Sequence, residues 1–393
     1  GNPYFIDLDE LIEKGYLTRE EVEGSKLGDR PEKVDYGLLY KNKLDLLKKA
    51  YKNSIEDLES QLEEFYKQNR TWLREFSLFM SLKNKFNNKI WYHWPRGFRD
   101  HKSPQVSLYE EKEKISIYFW VFTQYFFSRQ WKKLKAYANS KGIRIIGDLP
   151  IYVSEDSADV WTNPAYFELN HDYQPLKIAG VPPDAFSESG QLWGNPTYRW
   201  QALEEEGYDW WLRRISRGLE EVDILRIDHF RGFESYWEVD YAAKDAVKGQ
   251  WQKGPGMKLI KRIREELGQV NIIVEDLGIN TEKVDELVRK SGFPNMKVLQ
   301  FAFNLLEESH HIPHRIQENS VVYTGTHDNP TSCDWFNSIS REELSYVKEY
   351  LKLDQEEGYT WGLIRGAWAA TANLALAPMQ DFLGLGKEAR MNR

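Results

Sequence analysis

Five short apolar runs, each closing on a polar or acidic residue or an aromatic, set the strongest constraint on how this chain folds. They are RIIGD, DILRID, IIVED, KVLQFAF and SVVYTGTHD. Each is too short and too continuously apolar for a strand with one wet face, so they read as strands buried on both faces. Charged amphipathic helices accompany them, most clearly SRQWKKLKAYANSKG, GMKLIKRIREELG and TEKVDELVRKSG. Helix and strand in alternation predict right-handed βαβ units and a parallel sheet. A barrel and a doubly wound sheet both satisfy that rhythm. No G-x-G-x-x-G or G-x-x-x-x-G-K-[ST] follows any of the runs, which removes support from the nucleotide-binding form of the doubly wound fold. The expected fold class is α/β, a (β/α)8 TIM barrel with helical and loop insertions.

Residues 1–393 are expected to form a single catalytic barrel domain. A mainly helical insertion is expected at about 40–137, where segments such as SIEDLESQLEEFYKQ and TWLREFSLFMSLKNKF repeat apolar residues at three and four. Pro95, Gly97 and Pro104 interrupt it, which argues against a long coiled coil. Long loops are expected at 151–200, in YVSEDSADVWTNPAYF and AGVPPDAFSESGQLWGNPTYRW, both crowded with Trp, Tyr, Phe and Asp. The net charge of −8 is spread along the chain with no basic block, which makes nucleic acid an unsuitable partner. Cys333 is the one cysteine, so no intrachain disulfide or cysteine-rich metal site can form, and a reducing, cytoplasmic setting fits. The opening GNPYFIDLDELIEKGYL has no signal-peptide pattern and no apolar stretch approaches membrane-spanning length. Aromatic residues make up 14%, with 15 Trp, at a mean hydropathy of −0.65. Rings in wet settings suit the C–H faces of sugars, although core packing alone explains many of them.

In a barrel the strand ends at the C-terminal face line the mouth where active sites form. Four such ends carry a carboxylate: Asp148 in RIIGDLP, Asp228 in LRIDHF, Glu275 in IIVEDLG and Asp328 in TGTHDN. One acidic strand end is most often a helix cap or turn residue; four in succession point to a shared site. Gathered carboxylates suit either a Mg²⁺ site that stabilises an enolate or glycosidic cleavage by a nucleophile and an acid. The enolising reading needs a Lys or His base, and none of these strand ends offers a Lys. Arg226 lies two residues before Asp228, on the same side of the strand, and is expected to keep that carboxylate ionised and oriented. His229 and His327 can donate to sugar hydroxyls or serve as structural hydrogen-bonding groups. His310, His311 and His314 read as surface or loop residues rather than metal ligands.

Together GDLPIYVSEDSADVWTNP, AGVPPDAFSESGQLWGNPTYRW, DILRIDHFRGFESYWEV, IIVEDLG and YTGTHDNPT resemble the motifs of the amylomaltase (4-α-glucanotransferase) family, glycoside hydrolase family 77. GNPYFIDLDELIEKGYL at the start and APMQDFLGLGKEARMN at the end are similar too. The resemblance implies that Asp228 is the nucleophile, Glu275 the general acid/base and Asp328 the third carboxylate supporting the transition state. It implies substrate contacts from Asp148, Asp184, Gln191, Trp193, Arg226, His229 and His327, and no metal or cofactor. Trp193, Phe186 and Trp161 are candidate acceptor platforms. A retaining pair of carboxyls is expected about 5 to 5.5 Å apart. The implied substrates are maltooligosaccharides, amylose or glycogen-type glucans; neither nucleic acid nor a membrane is an expected partner. Against the family's pattern the chain is expected to be truncated at both ends, leaving the barrel incomplete, its edges exposed, and the isolated chain inactive or aggregation-prone. A hydrolase with the same carboxylates and a silent glucan-binding protein remain open alternatives.

Overall fold

The computed structural model describes residues 1–30, 33–183, 187–278, 281–305 and 309–390. The chain divides into two compact units, one made of Gly1–Ile145, Tyr152–Glu206 and Trp237–Gln250, the other of Ile146–Ile151, Gly207–Tyr236 and Trp251–Arg393.

The second unit holds the apolar runs. Six strands, Ile146–Leu149, Ile224–Ile227, Ile272–Val274, Asn295–Val298, Ser320–Tyr323 and Leu374–Leu376, follow one another in the sheet in sequence order. Every pairing between them is parallel, and among the described residues the outermost two each keep one edge without a strand partner, so the sheet is an incomplete (β/α) barrel. All five expected strands are present, each shorter than the run that announced it. KVLQFAF leaves the sheet at Val298 and turns into a short 3-10 helix, Leu299–Phe301. Leu374–Leu376 is an additional strand. One side of the sheet buries Ile224, Ile273, Met296 and Val321 together. Gly147 makes the approach of its neighbours possible, because a Cβ there would lie 2.5 Å from Val222 Cγ1.

The helices between strands follow their sequence pattern. Asp209–Glu221 buries Trp211 and Ile215, Met257–Leu267 buries Leu259, Ile260 and Ile263, and Glu282–Ser291 buries Val284, Leu287 and Val288. These i, i+3 and i+4 spacings form one apolar stripe per helix, and each fully buried aliphatic side chain contributes about 1.5–3 kcal/mol. Thr281 caps the last of these helices by accepting the Val284 N–H, and Gly292 ends it in a left-handed conformation (φ 66°).

In the first unit the helices Leu44–Gln68, Arg70–Lys85 and Lys114–Ser140 pack a core that includes Leu47, Leu62, Leu73, Phe122 and Phe126. The expected loop AGVPPDAFSESGQLWGNPTYRW is not simply a loop: Lys177–Val181 and Gln191–Pro196 are antiparallel strands. Their sheet continues through Ser235–Asp240 and Gly249–Lys253. Gly and Pro mask the strand pattern, and at Gly180 the sheet needs the glycine: a Cβ there would lie 2.3 Å from Gln191 O. Among the described residues no helix is long and apolar enough to cross a membrane.

Candidate active site

Parallel pairing brings the acidic strand ends to one rim. Asp148 stands opposite Arg226 in the register. Beyond the paired residues the ladder continues, with Asp228 N–H donating to Leu149 O at 3.1 Å and Glu275 N–H to Ile227 O at 3.0 Å. Asp148, Asp228 and Glu275 thus occupy successive strand ends of the same sheet.

Arg226 is the cation they share. Its Nη1 donates to Asp148 Oδ1 at 2.7 Å and to Asp228 Oδ1 at 3.0 Å, and its Nε donates to Met296 Sδ at 3.3 Å. Burial works against the Arg226 charge, yet Asp148, Asp228 and Glu275 more than offset it and hold the guanidinium above its ordinary value. Asp228 differs from expectation in one respect. Burial pushes its carboxyl above the usual aspartate value; Arg226 opposes that shift and does not cancel it, because Asp148 and Asp328 add negative charge nearby.

Glu275 is the more deeply placed carboxyl, 8% exposed, against 40% for the Asp228 side chain. Burial pushes it up to about 7; Arg226 pulls it down, Asp228 pushes it further up, and two backbone N–H groups pull down. Those donors are His229 N–H to Oε2 at 2.6 Å and Leu277 N–H to Oε1 at 2.9 Å. His229 reaches this position in a left-handed conformation, φ 51° and ψ 44°, a costly backbone state for a residue with a Cβ and one that concentrates at functional sites. Burial and the Arg231 charge push its imidazole down to about 3, so the ring is neutral. One cation facing three carboxylates leaves surplus negative charge, and a proton on the most buried of them, Glu275, relieves it.

His327 and Asp328 follow the Ser320–Tyr323 strand. His327 Nε2 lies 3.4 Å from Asp328 Oδ2, and both side chains are exposed. Asp328 is close enough to raise the Asp228 carboxyl. Gln191 and Trp193 belong to the antiparallel sheet of the first unit, where Trp193 Nε1 donates to Gln191 Oε1 at 3.2 Å and its ring meets Tyr152 at 6.1 Å. Asp184 and Phe186 lie outside the described residues. Trp161 is not an acceptor platform. It is fully buried, packed on Phe79 and Trp94, with Nε1 donating to Phe98 O at 3.0 Å. His310 and His314 are exposed, whereas His311, also in a turn, is half-buried and accepts the Val298 N–H at its Nδ1. Burial, Lys297 and His310 push its imidazole down to about 4.

Sequence reading passed over several residues that build the rim. Asp276 accepts from Asn295 Nδ2 at 2.8 Å and Met296 N–H at 3.1 Å, fixing the next strand. Tyr323 closes its strand within electrostatic reach of Arg226 and Asp148, and burial raises its hydroxyl pKa. Their signal was present, an acidic pair in IIVED and a Tyr immediately before TGTHD, each at a strand end.

The family model described as 4-alpha-glucanotransferase matches residues 1–393. A 4-alpha-glucanotransferase of Clostridium butyricum is 49% identical over 395 residues, spanning 100% of this chain and 81% of that protein. That of Thermus thermophilus is 44% identical over 405 residues, spanning 100% and 80%. Among solved structures, an amylomaltase from Streptococcus agalactiae in complex with acarbose superposes with a TM-score of 0.96 at 40% identity, covering 100% of this chain and 80% of that one. An amylomaltase from Corynebacterium glutamicum shares the fold, with a TM-score of 0.70 at 17% identity over 96% of this chain and 58% of that one. A shared rim of strand-end carboxylates and this likeness along the whole sequence lead to one assignment: the chain belongs to the 4-alpha-glucanotransferase family, the amylomaltases of glycoside hydrolase family 77.

Proposed function

We propose that this 4-α-glucanotransferase moves α-1,4-glucan segments between maltooligosaccharide, amylose or glycogen-type chains by double displacement through a glycosyl-aspartate. The observation that carries the reading is the unequal pair on neighbouring strands: Glu275 buried and pushed up to about 7, Asp228 more exposed and hydrogen-bonded to Arg226. Environments that push two carboxyls apart assign one as acid and the other as nucleophile.

In the first half-reaction Asp228 attacks the anomeric carbon while Glu275 gives its proton to the departing 4-oxygen. Esterification removes the Asp228 charge, one of the influences that hold the Glu275 carboxyl up. With that influence gone Glu275 stays ionised at the same pH, the form that takes the proton of the incoming 4-OH. Two inversions retain the α configuration. Asp328, with His327 beside it, supports the oxocarbenium-like transition state, and Asp148, Arg226 and His229 contact the sugar in the cleavage subsite. The neutral His229 ring suits a hydroxyl partner rather than an anion.

Transfer in place of hydrolysis requires an acceptor sugar to outcompete water for the intermediate. Gln191 and Trp193 supply that contact in this reading, the indole offering a face on which a glucose ring stacks, with Asp184 and Phe186 beside them in sequence. Incubation with maltotriose tests the assignment: glucose and a ladder of longer maltooligosaccharides are expected, whereas only shorter sugars would make the enzyme a hydrolase and no products a binding protein. Substitution of Asp228 by Asn is expected to abolish the ladder.

A further inference from the structure

The loop that carries Asp328 is closed at both ends by a buried carboxylate from the C-terminal part of the chain. Asp381 is 1% exposed. Its Oδ2 accepts the Thr324 hydroxyl at 2.7 Å and the Ser332 hydroxyl at 2.6 Å, and its Oδ1 accepts the Ser332 N–H at 2.7 Å. Thr324 is the first residue after the Ser320–Tyr323 strand, and Ser332 opens the Ser332–Ser338 helix. Everything between them, His327 and Asp328 included, hangs from these two anchor points. Further ties act inside the loop: Gln300 Nε2 donates to Pro330 O at 3.0 Å, Arg390 Nη2 donates to Asp328 O, and Asn329 Oδ1 accepts both the N–H and the hydroxyl of Thr326. The Asp328 side chain itself is 61% exposed, so the course of its backbone bears directly on where the carboxylate stands.

We propose that Asp381 is a positioning residue for Asp328, setting where the third carboxylate stands relative to Asp228 by clamping the two ends of its loop. This rests on the reading of Asp328 as a transition-state group. A charged acceptor bonded to three buried donors is a strong clamp, since losing it strands a buried N–H and two hydroxyls. Displacement of a catalytic group by about 1 Å costs on the order of 10²-fold in rate.

The test is a cycle on maltotriose disproportionation. Asp381→Ala is expected to lower kcat about 10²-fold with little change in KM. Asp381→Asn should restore most of the rate, because the two hydroxyls can turn from donating to accepting from the amide. Asp328→Asn lowers kcat by itself, and adding Asp381→Ala to it should cost about twofold or less, the mark of two residues acting through one group. Should Asp381→Ala fail to fold, Thr324→Val removes a single clamp bond at nearly constant shape; its smaller kcat loss should likewise vanish in the Asp328→Asn background. An unchanged kcat in Asp381→Ala or Thr324→Val, or losses that multiply fully with Asp328→Asn, overturns the proposal while leaving the role of Asp328 intact. A normal rate in Asp328→Asn alone overturns both.

Discussion

Replacing Glu275 by glutamine removes the proposed proton donor and a buried titrating group together, and the two consequences have different pH signatures. In the native protein the carboxyl is pushed up to about 7 from an ordinary glutamate value of 4.5, which the unfolded chain recovers. Between those pH values the native state binds a proton that the unfolded state has released. Native stability therefore falls as pH rises through the window: the contribution is full below about pH 4.5 and gone above about pH 7. That gap is worth about 3 kcal/mol. Glutamine is neutral in both states and has no such term. It brings a pH-independent cost of roughly 1–3 kcal/mol instead, because its amide can accept only one of the two N–H bonds that His229 and Leu277 donate. Urea denaturation of both proteins from pH 4 to 9 should show the variant gaining on the native protein by about 3 kcal/mol across the window, then running parallel. A difference that stays flat with pH, or that moves against the variant as pH rises, refutes the buried, raised carboxyl. Activity provides the second reading: transfer from maltotriose should fall about 10²–10⁴-fold, while a donor whose leaving group needs no proton, such as α-maltosyl fluoride, should still glycosylate the enzyme.

Three further outcomes follow from the same geometry. In the native enzyme kcat/KM should decline above pH 7, tenfold per pH unit, since the free enzyme must present Glu275 protonated; an alkaline limb beyond pH 9 would contradict its value of about 7. Arg226→Ala removes the group that lowers both the Asp228 and Glu275 carboxyls, so the acid limb should move to higher pH and kcat fall about 10²-fold or more; an unmoved limb would detach Arg226 from the nucleophile. Trp161→Ala should destabilise by about 3–5 kcal/mol in thermal unfolding, with acceptor KM unchanged where the variant is folded; a selective rise in acceptor KM would restore Trp161 to the substrate path.

How much of this could be read in the sequence depended on whether a residue's role was local. The parallel strands announced themselves because burial on both faces demands continuous apolar runs such as DILRID, and their acidic ends fell at one rim because parallel strands share a direction. Arg226 was legible for the same reason, two residues from Asp228 and hence on its side of the strand. Leu374–Leu376 escaped because a three-residue strand beside alanines carries too little pattern. The antiparallel strands Lys177–Val181 and Gln191–Pro196 escaped because their glycines, of which Gly180 is needed for close approach, and the prolines beside them imitate loop chemistry. The burial of Trp161 depends on Phe79 and Trp94, far away in sequence, and no local spacing reports it. Asp381 is the clearest instance: its partners Thr324 and Ser332 are distant in the chain, and a single Asp three residues after Pro378 carries no local pattern until the fold brings the three together.

Mass-spectrometric mapping of the enzyme after reaction with a slow, fluorinated maltosyl donor addresses the central claim directly. The account predicts one added glycosyl unit on the peptide containing Asp228, released when maltose is supplied as acceptor. Label on Asp148, Asp328 or Glu275 in its place, or undiminished transfer by Asp228→Asn with no adduct at all, would contradict it.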